Sequence, residues 1–118
     1  MKKNNKNNEL KELINEFRKA SIQNKVNIWK RIAEDLEKPS RRRRTVNVYK
    51  LNKVTNKDET VIVPGKVLGT GEIEHSINVA AYNFSKEALE KIKSKGKALT
   101  ITELIKKNPK GEKVRIIG

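Results

Sequence analysis

Apolar positions in the first third of the chain recur with helical spacing. Leu10, Leu13, Ile14 and Phe17 fall at i, i+3, i+4 and i+7, the stripe of an amphipathic helix running from residue 9 to about Ala20. Asn8 is placed to cap it, since a short amide side chain can accept a bond from one of the orphan N–H groups at a helix start. Asn24 has the same relation to a second stripe, Val26, Trp29, Ile32, Ala33 and Leu36. That helix should stop before Pro39, because the residue preceding a proline disfavours helical geometry. Trp29 lies inside the stripe and is read as core, not as a base-stacking aromatic.

From residue 45 the rhythm changes. Thr45-Val46-Asn47-Val48-Tyr49 alternates like a short strand, and Val61-Ile62-Val63 is a β-branched run ended by Pro64-Gly65. Residues 77–84 read as a strand whose Val79-Ala80-Ala81 centre is apolar enough to be buried on both faces. Ser85 should cap a helix lined by Ala88, Leu89 and Ile92, with Gly96 ending it in a left-handed turn. Ala98-Leu99 forms a short strand. Thr100 and Glu103 then have capping-box spacing for a helix stopping at Asn108-Pro109, and residues 114–117 close as a last strand. Strand, helix, strand, helix, strand at short spacing implies an α/β core over residues 46–118, with the helical pair of residues 9–37 carried on it as an appendage. Residues 1–8 read as a mobile basic tail.

Length and composition fit one domain of 118 residues. Leu, Ile, Val and Phe make up 31 of them, enough for a modest core. The charge changes the picture more: 28 Lys and Arg oppose 14 Asp and Glu, a net of +14. Solubility alone is served by a net charge of about 2–8, so an excess of this size points to a polyanionic partner. It is concentrated in the first half, with a net of +10 over residues 1–66 and +4 over residues 67–118. The chain has no cysteine, which removes disulfides, thiolate metal sites and cysteine nucleophiles. No apolar run approaches the roughly 18 residues of a membrane span, and the polar first eight residues lack a signal peptide's apolar stretch, so an intracellular, soluble protein is expected.

Two stretches could carry chemistry. Residues 38–45 hold Lys38, Arg41, Arg42, Arg43 and Arg44 with no periodicity that would bury them. Guanidinium forks match phosphate oxygens bidentately, which suits such a run to a nucleic-acid backbone; the bland reading is a solvated or import-signal-like run. Lys50, Lys53 and Lys66 extend the basic segment, where only Asp58 and Glu59 oppose nine basic residues between positions 38 and 66. The second stretch, residues 64–71, combines Gly65, Gly69 and Gly71 with Lys66. Its lysine follows the first glycine instead of closing the loop before Ser or Thr, and Glu72 and Glu74 follow, so it fails as a nucleotide loop. A rigid turn apposed to an RNA backbone fits it better. His75 is the only histidine, and no nucleophile elbow or metal-ligand spacing surrounds it. With five aromatics, most of them on predicted core faces, the chain lacks the exposed aromatic and basic interleaving of single-strand readers. Backbone and shape recognition of folded RNA is the expected mode.

The order and spacing of residues 61–71, Val79-Ala80-Ala81, Phe84-Ser85, Ala88, Lys91-Ile92, Glu103-Leu104, Asn108-Pro109-Lys110-Gly111 and Val114-Arg115-Ile116-Ile117 resemble the eighteen-e family of the archaeal and eukaryotic large ribosomal subunit, a relative of the universal fifteen family. The resemblance covers nearly the whole chain, and the chain's short length suggests the archaeal form. Lys97 stands after Gly96 where the family would suggest a second glycine. The resemblance implies a compact α/β domain whose basic extensions lie on large-subunit ribosomal RNA beside neighbouring large-subunit proteins, in the cytoplasm. It implies no enzymatic activity, cofactor, metal, membrane or small-molecule substrate. The residues expected at the RNA are Lys38, Arg41, Arg42, Arg43, Arg44, Lys50, Lys53, Gly65, Lys66, Gly69, Gly71 and Lys110. The residues alone leave a free-standing nucleic-acid binder, a chromatin component or RNA chaperone, as the alternative.

Overall fold

Two long strands with continuously buried centres set the architecture. In the computed structural model, which describes residues 5–38 and 44–117, β2 (Glu59–Leu68) and β3 (Ile77–Phe84) run side by side in parallel. Val61, Val63 and Val67 of β2 join Ile77, Val79 and Ala81 of β3 in one buried cluster, while Ile62 and Ala80 between them join another. The centres of these strands are therefore dry on both faces, as the Val79-Ala80-Ala81 run predicts. Large side chains meet small ones across the pair, Ile62 opposite Ala80 and Val63 opposite Ala81.

β4 (Lys97–Thr100) pairs with the far side of β3, and every pairing in the sheet is parallel. The other edge of β2 carries two strands end to end. β5 (Val114–Ile116) lies along residues 60–62, and β1 (Arg44–Asn47) lies along residues 65–68. The strand does not stop at Pro64-Gly65 as the sequence suggests. Proline lacks the N–H for an unbroken ladder, but the register shift between Val63 and Lys66 absorbs it and β2 continues to Leu68.

Helices cover both faces, giving three layers. α3 (Val48–Val54) and α4 (Lys86–Lys95) bury Val48, Leu51, Ala88 and Ile92 on one face. α1 (Asn5–Asn24), α2 (Asn27–Glu37) and α5 (Ile101–Lys107) cover the other with Phe17, Trp29, Ile32, Leu36, Ile101 and Leu104 around Ile62 and Ala80. The two N-terminal helices are thus part of the core and not an appendage: α2 lies against β2, and the apolar stripe of α1 closes over α2 and α5. Phe17 and Trp29 pack with ring centroids 5.6 Å apart, and the indole Nε1 donates to the Pro109 carbonyl at 2.6 Å, tying α2 to the turn after α5.

The caps follow the sequence in the second half and depart from it in the first. Ser85 accepts from the Ala88 amide, and Thr100 and Glu103 form the full capping box. Asn8 lies inside α1, which already begins at Asn5, so the second half of the expected tail is helical; residues 1–4 of it lie outside the described residues. Asn24 works at the end of α1, donating its side-chain amide to the Ala20 carbonyl, after which Lys25 turns the chain at a φ of 55°. The turn into α2 is held by Ser21, whose hydroxyl donates to the Val26 carbonyl while its own carbonyl accepts the Val26 amide. Gly96 ends α4 without a left-handed turn, at a φ of −160°. It is needed for space, since a Cβ there would sit 1.9 Å from the Ile77 carbonyl oxygen. Lys97 is the exposed first residue of β4, so a second glycine has no task.

Candidate nucleic-acid interface

The expected strand over residues 45–49 splits in two. Val46 and Val48 both enter the core, but the chain turns into α3 at Val48, where the Thr70 carbonyl accepts the Tyr49 amide, one of the unpaired N–H groups of the helix start, at 2.8 Å. Helical geometry then swings Tyr49, Lys50 and Lys53 outward while Leu51 turns in. Tyr49 is 61% exposed, and the Lys53 ammonium stands 6.0 Å from its ring centroid.

Residues 69–76 return from the end of β2 to the start of β3 along α3. The glycines here serve close packing. A Cβ on Gly71, whose φ is 106°, would lie 2.6 Å from the backbone of Tyr49, and one on Gly69 would strike Glu87 at 2.7 Å. Their carbonyls, not their amides, converge on a charge: Lys91 Nζ donates to Gly69 at 2.7 Å and to Gly71 at 2.6 Å, with Glu72 and Glu87 each 3.4 Å away. Further along, Asn52 and Glu74 exchange two hydrogen bonds, and the ring nitrogens of His75 lie against the carbonyls of Ser76 and Asn52. This segment is a buttress with an acidic rim. Nothing in the sequence marked Lys91 as its centre except the i, i+4 spacing from Glu87.

On the opposite face, the C-terminal half of the sheet is open. Thr45, Lys66 and Asn83 are register partners on β1, β2 and β3, all three exposed, with exposed Asn47 beside them. Parallel partners point to the same side, so these residues form one polar row across three strands, backed by buried Val46 and Val67. Arg44 opens β1 directly opposite Gly65, which is buried within β2. The segment holding Arg41, Arg42 and Arg43 lies outside the described residues, between Lys38 at the end of α2 and this strand.

The sequence-derived set therefore divides. Lys66 stands exposed on one face beside Thr45 of β1, and Lys50 and Lys53 stand exposed on α3, over the other. Lys38 is exposed and paired with Asp35 at 3.0 Å. Lys110 is exposed on the turn between α5 and β5, at the N-terminal end of the strands and away from the Lys66 row. Thr45, Asn47 and Asn83 were missed by sequence because alternation reports burial and not which exposed positions become neighbours. Among the described residues, no cluster of three or more His, Asp or Glu side chains could hold a metal, and no helix is long and apolar enough to cross a membrane.

The pattern of the family described as ribosomal proteins 50S-L15, 50S-L18e and 60S-L27a matches residues 8–100, from α1 to the end of β4. The large ribosomal subunit protein eL18 of Methanoregula boonei is 46% identical over 112 residues, covering 94% of this chain and 93% of that protein. The eL18 proteins of Methanothermobacter thermautotrophicus and Methanospirillum hungatei are 43% and 44% identical, over 94% and 98% of this chain.

Proposed function

The chain belongs to the family of ribosomal proteins 50S-L15, 50S-L18e and 60S-L27a, and from that premise we propose that it is a structural constituent of the large ribosomal subunit. It binds large-subunit ribosomal RNA through phosphate and shape contacts. The observation that carries the contact surface is the exposed row Thr45, Lys66 and Asn83 at the point where the Arg segment joins the sheet. Lysine and arginine supply the phosphate contacts, and a flat row of short polar side chains suits the shallow minor groove of an A-form helix, where 2′-hydroxyls offer donors and acceptors.

In this reading Arg41, Arg42, Arg43, Arg44, Lys50, Lys53 and Lys66 form the main contact, Lys38 and Lys110 lie at its margins, and Gly65, Gly69 and Gly71 shape the scaffold beneath. The whole chain acts as one unit, without cofactor or catalysis, in the cytoplasm among neighbouring large-subunit proteins and away from membranes. The alternative, a free-standing binder of any polyanion, predicts a different preference. The full chain should bind deproteinised large-subunit RNA more tightly than duplex DNA of equal length at matched salt, and should co-sediment with large subunits. Both polyanions give a steep log–log salt slope, about −4 to −7 for six to eight phosphates. Only recognition of A-form shape gives the preference. Equal affinity for duplex DNA would overturn the ribosomal reading.

A further inference from the structure

Among the described residues, Tyr49 is the only aromatic side chain that is mostly exposed. Phe17 and Trp29 are fully buried, while Tyr82 and Phe84 pack partly into the two cores. Leaving a large ring in water forgoes its burial, and here the backbone fixes it there. The Tyr49 amide is bonded to Thr70, and Gly71 allows the return chain to press against the Tyr49 backbone at a distance no other residue would permit. The loop is braced in turn by Lys91. The ring thus projects from a rigid base at the first turn of α3, with Lys50 beside it and Lys53 over it.

A preordered aromatic ring flanked by two lysines is the local arrangement that receives a nucleobase and its phosphate. We infer that Tyr49 stacks on an unpaired base of large-subunit RNA while Lys53 neutralises the adjoining phosphate. The inference rests on the ribosomal reading and adds a base contact to a surface otherwise built for backbone and shape. It also departs from the sequence reading, which expected backbone and shape recognition without a stacking aromatic. A ring in solvent could instead dock a neighbouring protein, but the lysines at i+1 and i+4 favour an anionic partner.

The test uses the full chain and deproteinised large-subunit RNA, measuring affinity at several salt concentrations. Tyr49→Ala should weaken binding about tenfold without changing the salt slope, because stacking releases no counterions. Tyr49→Phe should restore affinity, and Lys53→Ala should make the slope shallower by a little under one. Both Tyr49 variants should melt at the wild-type temperature, since the ring is exposed. If the wild type binds and Tyr49→Ala binds equally well, the stacking inference is overturned while the ribosomal reading stands. The same holds if Tyr49→Ala keeps RNA affinity but fails to enter subunits, which would assign the ring to a protein neighbour. If Tyr49→Phe binds as weakly as Tyr49→Ala, the hydroxyl and not the ring makes the contact, which overturns stacking as well. A wild type with no affinity for the RNA removes both readings together.

Discussion

Thr100 and Glu103 close the start of α5 reciprocally: the Thr100 hydroxyl accepts the Glu103 amide at 3.1 Å, and the Glu103 carboxylate accepts the Thr100 amide at 2.8 Å. The backbone bond from Thr100 is the main reason the Glu103 carboxyl is held below its ordinary value, helped by the Thr100 hydroxyl, Lys107 and Lys93 and opposed by partial desolvation. A depressed folded value means that the unfolded chain binds this proton more readily. The contribution of Glu103 is therefore complete above the ordinary carboxylate value and is lost as pH falls through the folded one. The difference in melting temperature between wild type and Glu103→Ala should be constant from about pH 6 to 8 and shrink in acid through the carboxylate range. A difference that persists unchanged at the acid end would mean that Glu103 acts by packing or helix propensity and not by charge. This box was legible in the sequence because it is local, a side chain and an amide three residues apart. Asn8 and Asn24 had the same local chemistry but different roles, since what decides a cap is where the preceding backbone leaves helical geometry.

At the scale of elements, α4 and β4 depend on Gly96 for a reason the sequence could not disclose. A Cβ there would collide with the Ile77 carbonyl, at the start of the strand that β4 pairs with. Gly96→Ala should cost about 1–3 kcal/mol, the range for forcing an extra methyl group into a packed site, read as a lower denaturant midpoint. A change under about 0.5 kcal/mol would show that α4 and β4 slide apart freely. Position 97 should tolerate substitution, being exposed. The elements that were legible were α2, α4 and α5, whose apolar positions fall at helical spacing, and β3, whose continuous apolar centre marks a strand buried on both faces. α3 was not, because its first residues, Val48-Tyr49, continue the strand-like alternation of Thr45-Val46-Asn47, and the carbonyl that takes the free Tyr49 amide at the helix start belongs to Thr70, 21 positions away in sequence. The true length of β2 was hidden for a related reason: Pro64-Gly65 reads as punctuation unless the bulge that accommodates it is known.

The whole molecule carries its function in the sum of its charges and in the surface those charges leave open. The first was plain in the sequence and the second was not, because the row of Thr45, Lys66 and Asn83 draws one residue from each of three strands. Replacing residues 41–44 by alanine removes four of 28 basic side chains. The log–log salt slope for RNA binding should become shallower by about 3, with little change in melting temperature, because four adjacent arginines have no apolar periodicity to place them in a core and each phosphate they neutralise releases counterions. A large fall in melting temperature would instead make them structural. The sheet has a further consequence, for synthesis. β2 is central, yet its outer edge is closed by β1, made before it, and by β5, whose Arg115 pairs with Val61 from 54 positions downstream. At synthesis rates of about 5–20 residues per second, the apolar run of residues 61–63 waits several seconds for its last partner. An unpaired strand edge of that kind invites pairing with another chain. Growing chains already carry most of the positive charge in their first 66 residues, so two of them repel before their open edges can meet. The charge that suits the finished protein to RNA also keeps its unfinished copies apart.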